Sequence, residues 1–531
     1  MSVDLLAAVL DSADRTPTAP AITLGRRTLT FAALRRRVLG IAAGLRAEGF
    51  AVGDRMLFSV RPGLDAVTLA LGAIAAGGTV VFADPGAGET VFRARMGLAG
   101  PSWVAAESLL YAASSGPLAG IARRRGIALP TYASIVPGAR HIRSGAWLPG
   151  VPRGALAVSR LAAAAALPAP LGDPADPALV IFTSGTTQAP RAVVHSRATL
   201  GAGLDDFATA TGIAPGEIVL TDQLMVGVPA LIAGAHWVMP APGLDPGASP
   251  ERFVALAAGA DVLFAVPAAL ARILDAIAAM PAGARPAPRA VIVGGAPVLR
   301  PLLERSRAVL PGTRVLALYG MTEMLPVAIA DGADKLAFGG DGDLVGTLVP
   351  SAAARIDAGE LVLSGPGLAL GLLAPGSVSV EPIGELRTGD LARLEPGRDG
   401  RRLILQGRAK DMLIRGTTNV YPGLIEPVVA TIHGVAECLL VGVPDAIGDD
   451  RLVLAVVPAK DAPRGPDPAH PLAVSVAAVL PRLIDAACLP DLVVALAELP
   501  RSGRGAKPDR AALAAAVARL VDAAPQQDPR A

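Results

Sequence analysis

Cysteine, aromatic rings and net charge are all scarce in this chain, and each scarcity argues against something. Cys438 and Cys488 are the only cysteines in 531 residues and show no CxxC spacing. That speaks against a disulfide framework or a cysteine-held zinc, and it fits a reducing compartment. Aromatics make up 3% of a chain that is 52% apolar, so much of its apolar content is small aliphatic side chains. The balance of 48 basic and 46 acidic residues leaves a formal +2, which provides no net attraction for nucleic acid or an anionic membrane. The short clusters Arg35 to Arg37 and Arg123 to Arg125 read as solvated helix faces. No GxxxxGK[ST] loop is present. The N-terminus lacks a basic region followed by an apolar core, so no signal peptide is expected and the cytoplasm is the expected location.

A mean hydropathy of +0.50 raises the question of membrane spans. The most span-like stretch, Ala66 to Ala83, is interrupted by Gly77-Gly78 and followed by Asp84-Pro85-Gly86. It reads as a buried helix, a glycine turn and a strand. Gln223 to Leu244 and Leu361 to Val380 are uncharged but broken by prolines and glycines, so no integral membrane segment is expected.

The length predicts two or three domains. Helical and strand-like patterns alternate from "LTFAALRRRVLGIAAGLRAEGF" through "DRMLFSV" and "TVVFA", and again at "ADVLFAVPAALARILDAI", "RAVIVGG" and "RVLALYG". Such alternation predicts an α/β architecture with parallel strands. From about Gly359 the texture changes to short strands with turn residues. After "GRAKD" a new α/β pattern begins, ending in an alanine-rich helix from Arg510 to Ala524.

One stretch, "LVIFTSGTTQAPRAVVHS", carries chemistry. Leu179 to Phe182 read as a strand covered on both faces. Thr183, Ser184, Thr186 and Thr187 follow it around Gly185, so amides and hydroxyls can converge on an anion, most obviously a phosphate. A Ser/Thr-rich surface turn is the alternative reading of these residues alone.

The stretch resembles the phosphate loop of the adenylate-forming (AMP-binding) superfamily, which includes acyl-CoA synthetases, peptide-synthetase adenylation domains and luciferases. Thr183 to Thr187 and Pro190 match that loop, whereas Gln188, Arg191 and Ala192 replace its usual glycine, lysine and glycine. Further motifs follow in the family's order. "VIVGGAP" resembles the adenine-pocket turn, with Gly295, Ala296 and Pro297 at its end. In "YGMTE" the resemblance implies that Tyr319 stacks on adenine beside Gly320, Thr322 bonds the α-phosphate and Glu323 binds Mg²⁺. Asp390 of "ELRTGDL" would accept from both ribose hydroxyls, and Arg408 would reach ribose or phosphate. Lys410 falls on the family's hinge, the loop after it reads Arg415-Gly416-Thr417 where the family usually carries Gly-Gly, and Lys507 in "LPRSGRGAKPDRAAL" falls on its catalytic lysine.

The implied fold is α/β. A large N-terminal AMP-binding domain, residues 1–409, would hold two α/β subdomains and a β subdomain, with a small mobile α+β lid at 410–531. The implied reaction activates a carboxylic acid with ATP and Mg²⁺ to an acyl-adenylate, then transfers the acyl group to CoA or a carrier-protein thiol. Thr221 to Ala235 falls where the family builds its acid pocket, and its apolar character favours a fatty or other apolar acid. Asp222 keeps an amino acid open as substrate. "VVFADPGAG" and "YGMTEMLPVA" bear some local resemblance to β-lactone synthetases, which act on β-hydroxy acids. A non-catalytic nucleotide-binding homologue is the last alternative, disfavoured by the presence of Glu323, Asp390, Arg408 and Lys507. His195 and His236 have no nucleophile partner in sequence, which assigns them structural roles.

Overall fold

The computed structural model describes residues 4–83, 89–116, 118–124, 129–183, 191–374, 379–398, 400–408, 413–415, 418–444, 450–484, 488–502 and 507–523. Ser184 to Pro190, the body of the phosphate loop, lie outside the described residues, as do the hinge position Lys410, the 409/410 boundary and Gly416.

Two large sheets organise the N-terminal part. Among the described residues one has 13 strands and the other nine. In the nine-stranded sheet a parallel run contains Arg55–Ser59, Thr79–Phe82 and Pro177–Thr183. Arg191–Ser196 then adds antiparallel to Pro177–Thr183 and turns the sheet's direction at the phosphate loop. In the 13-stranded sheet, Val262–Ala265, Ala290–Gly294 and Arg314–Met321 run parallel, and Met324–Asp331 folds back antiparallel. The β-rich region after Gly359 continues this same sheet, because Asp343–Leu348 pairs with Met324–Asp331 on one side and Gly400–Arg408 on the other.

Helices fill the space between the two sheets. Leu64–Ala75 is almost wholly buried, and the chain passes through Gly77 (φ +85°) into the Thr79–Phe82 strand, as the span-like stretch predicts. Leu34, Val38, Ile41 and Leu45 recur along Phe31–Ala47 at three- and four-residue spacing and enter the same core. Arg37 departs from a solvated helix face: its guanidinium bonds Asp65 at 2.5 Å and Thr68 at 3.0 Å, tying Phe31–Ala47 to Leu64–Ala75. Trp237, Ile292 and Leu316 from the larger sheet, and Phe58 and Val80 from the smaller one, meet in this central layer. No described helix is long and apolar enough to cross a membrane.

The C-terminal unit is small. Val435–Pro444, Asp450–Pro458 and Leu492–Ala495 form a three-stranded sheet. Pro422–Val429 and Pro471–Val479 pack on one face and Arg510–Ala523 on the other. Leu299 of the large unit packs into its core. Cys438 is buried there and Cys488 is partly so, and the two are not joined in a disulfide.

Candidate active site

The site forms where parallel strands of the larger sheet end. Gly294 pairs with Leu318, so the turn after Ala290–Gly294 and the turn after Arg314–Met321 leave neighbouring strand ends on the same side. Gly295 there has φ +87°, a left-handed conformation that favours glycine, and Ala296 and Pro297 carry the turn outward. Tyr319 lies at the end of the adjacent strand. Gly320 follows in close quarters: a Cβ there would sit 2.6 Å from Leu325 Cδ1, so that side chain would have to move aside.

The Tyr319 hydroxyl donates to Asp390 Oδ2 at 2.5 Å, joining two residues 71 positions apart. Asp390 is 2% exposed and sits on Leu386–Gly397, opposite Arg408 across an antiparallel pair. Its turn is fixed locally. The Asp390 amide donates to Thr388 Oγ1 (3.0 Å), Thr388 Oγ1 donates to the Leu361 carbonyl (2.9 Å), and the Gly389 amide donates to Glu360 Oε1 (2.9 Å). One oxygen of the Asp390 carboxylate is thus held by a phenol, and a carboxylate keeps further acceptor sites for a diol.

Thr322 and Glu323, both half-buried, form the turn between Arg314–Met321 and Met324–Asp331. His195 Nε2 donates to the Thr322 carbonyl at 2.8 Å, and its Nδ1 lies 3.2 Å from Thr199 Oγ1. Burial pushes the imidazole below its ordinary pKa, and the bond to Thr322 opposes that shift. His195 stands on Arg191–Ser196, the strand that leaves the phosphate loop, where Thr183 faces Arg191 across the pairing. Its structural role in the sequence reading therefore has a location, a link between two motifs 127 residues apart. Spacing alone carries no signal of such a contact. His236 is more local in effect: its Nε2 meets Thr23 Oγ1 at 2.7 Å, bridging two paired strands.

The structure thus brings together Tyr319, Gly320, Thr322, Glu323, Asp390, the Gly295 turn and the strands bearing Thr183, Arg191 and Arg408. Lys507 lies apart in the chain, exposed on a short pair with Arg501–Ser502 in the C-terminal unit. Arg510, three residues on, is a structural clamp. Its guanidinium bonds both oxygens of Glu426 (2.6 and 2.9 Å) and the Leu440 carbonyl (2.5 Å).

The apolar stretch Thr221 to Ala235 reads differently in three dimensions. Val226, Val228, Ala230, Leu231 and Ile232 are buried in the central core, and a Cβ on Gly227 would collide with the Trp237 ring. Its apolarity meets the demand of a helix packed between sheets, so it says little about the acid. Asp222, Gln223, Leu224 and Met225, at the start of Leu224–Ala233, keep some exposure.

Patterns of known families agree with this geometry. The AMP-binding enzyme pattern matches residues 9–373, and that of the AMP-binding enzyme C-terminal domain matches residues 424–506. The chain belongs to the AMP-binding enzyme family. A probable 2-succinylbenzoate–CoA ligase of Mycobacterium tuberculosis is 31% identical over 293 residues, covering 53% of this chain and 71% of that protein. A feruloyl-CoA synthase of an Amycolatopsis species is 28% identical over 492 residues, covering 83% and 86%. In fold, this AMP-binding enzyme is similar to ATP-bound MatB from Rhodopseudomonas palustris, with a TM-score of 0.76 and 23% identity over 98% of this chain and 100% of that one. As a family member it is an ATP-dependent acid–thiol ligase, with ATP, Mg²⁺ and CoA beside its carboxylic acid.

Proposed function

We propose that this enzyme converts an apolar carboxylic acid, aliphatic or aromatic, to its acyl-adenylate and then to its CoA thioester. The observation that carries the reading is the Tyr319–Asp390 bond beside the Thr322–Glu323 turn, which sets an aromatic face, a buried carboxylate, a hydroxyl and an acid at one strand end. Tyr319 offers its ring to adenine, with the Gly295-Ala296-Pro297 turn as the other wall. Asp390 accepts from the ribose hydroxyls, and Arg408 reaches the same sugar or its phosphate. The hydroxyls of Thr183 to Thr187, with the charge of Arg191, hold the β- and γ-phosphates.

Among the described residues no group of three or more His, Cys, Asp or Glu could cage a metal. Magnesium commonly binds through one carboxylate with phosphate oxygens and waters, and Glu323 fits that use. There Mg²⁺ would neutralise phosphate charge. A carboxylate oxygen of the acid attacks the α-phosphorus, and the bond to pyrophosphate breaks. Thr322 donates to an α-phosphate oxygen, and the Lys507 ammonium balances the charge that builds during attack. The CoA sulfur then attacks the acyl carbonyl and AMP leaves. A lid comprising residues 410–531, turning about Lys410 on a large domain of 1–409, would bring first Lys507 and later the segment around Gly416 to the site.

The apolar acid is supported by the names of relatives that act on ferulate and long-chain fatty acids, and by the partly buried Leu224 and Met225 at the start of their helix. Pyrophosphate release across a panel of fatty, aryl, β-hydroxy and amino acids tests it. Turnover confined to amino acids refutes the substrate class, and a β-hydroxy acid giving a lactone without CoA refutes the second step.

A further inference from the structure

We infer that His195 is a positioning residue for adenylation, holding the Thr322–Glu323 turn against the strand that leaves the phosphate loop. The inference rests on the roles proposed above for Thr322 and Glu323. A carbonyl oxygen only accepts, so the 2.8 Å contact with Thr322 places the imidazole proton on Nε2. Nδ1 is then the acceptor, and the Thr199 hydroxyl, 3.2 Å from it and 3.3 Å from the Ser196 carbonyl, shares its one proton between the two. Thr199 is itself anchored: it shares a reciprocal capping box with Ser196 at the start of Arg197–Thr211. The ring is therefore gripped on one side by a helix terminus and aimed on the other at the turn.

The next carbonyl of that turn is held as well. The Ala369 amide donates to the Glu323 carbonyl at 2.8 Å, and the Leu370 amide donates to the Val194 carbonyl at 2.8 Å. Gly371–Leu373 then pairs with Arg191–Ser196. Consecutive carbonyls at Thr322 and Glu323 are thus fastened toward one strand, the first by the His195 side chain and the second through backbone. His195 is 5% exposed, so water does not readily replace its bond. Losing the donor leaves the Thr322 carbonyl without this partner unless the turn shifts, and a shift carries the Thr322 hydroxyl and the Glu323 carboxylate with it.

The substitutions His195→Gln, His195→Asn and His195→Leu separate positioning from packing. Glutamine can place an amide donor near the Nε2 position, asparagine is too short, and leucine fills space without donating. The assay is pyrophosphate release on purified full-length enzyme, with Mg²⁺ and acid titrated separately and melting temperature recorded. The Asn and Leu variants are expected to lose about tenfold in kcat, the scale of one buried hydrogen bond, and to need more Mg²⁺ for half-maximal rate. The KM for the acid should stay near wild type, and the Gln variant should recover most of the rate. Asn and Leu variants that melt lower but keep kcat and the Mg²⁺ midpoint would overturn the inference. So would a Gln variant as slow as Leu. Glu323→Gln is measured beside them. If it moves the Mg²⁺ midpoint and the His195 variants do not, this inference alone fails. If it leaves the midpoint unchanged, the proposed metal role fails and takes the inference with it.

Discussion

Replacing Tyr319 with phenylalanine isolates the bond at the centre of the site. The ring face remains for stacking, while Asp390 loses a hydroxyl donor that stands 2.5 Å from its Oδ2. Hydrogen bonds to charged groups contribute about 1.5–3 kcal/mol, and at 2% exposure little solvent is available to compensate, so a stability loss of about 2 kcal/mol is expected. Trp103, Trp147 and Trp237 all lie in the large unit, so a urea titration read by tryptophan fluorescence reports its unfolding. Nucleotide binding should weaken separately. With one contact fewer to orient it, the carboxylate must be ordered further when ribose binds, at about 0.5–1.5 kcal/mol, which raises the Kd for ATP about two- to tenfold in calorimetry. Binding as tight as wild type or tighter would refute the reasoning, because the phenol would then be a competitor of the ribose and not its organiser.

Other consequences are open to direct test. Lys507→Ala should cut acyl-adenylate formation by about 10²-fold or more while leaving the ATP Kd near wild type, read from pyrophosphate release and calorimetry on one preparation. Gly227→Ala should destabilise by about 1–3 kcal/mol, since the added methyl would stand 2.0 Å from Trp237 Cε2, and a urea midpoint at the wild-type value would contradict that packing. Burial lowers the folded-state pKa of His195 below its ordinary 6.5, so the unfolded chain takes up its proton first as pH falls. The His195 contribution is therefore complete above about pH 6.5 and declines below it, at up to about 1.4 kcal/mol per pH unit. The His195→Gln variant should show a shallower acid slope in urea midpoints between pH 7 and 5, and identical slopes would refute the assignment.

Much of this organisation is legible in the sequence because it rests on local rules. The glycine pair after a small-residue helix marks Ala66 to Ala83 as helix, turn and strand, and positive φ at Gly77 bears that out. The motif order from Tyr319 to Arg408 places the candidate residues in one region, and the Tyr319–Asp390 bond joins two of them directly. What local rules miss is partner choice across long separations. An apolar run such as Val226 to Ile232 has the same composition whether it faces a ligand or a second sheet, and here it faces the core. Arg37 looks like one member of a basic helix face until Asp65, on another helix, is seen to hold it. His195 shows no spacing signal because its partner is a backbone carbonyl, which any residue type supplies.

The central claim is AMP-forming acid–thiol ligation, and product stoichiometry tests it most directly. With ATP, Mg²⁺, CoA and an acid accepted in the substrate panel, mass spectrometry should find acyl-CoA, AMP and pyrophosphate in equal amounts, and omitting CoA should leave acyl-adenylate on the enzyme. ADP and phosphate in place of AMP and pyrophosphate, or acyl-CoA formed with no adenylate when CoA is withheld, would contradict the account.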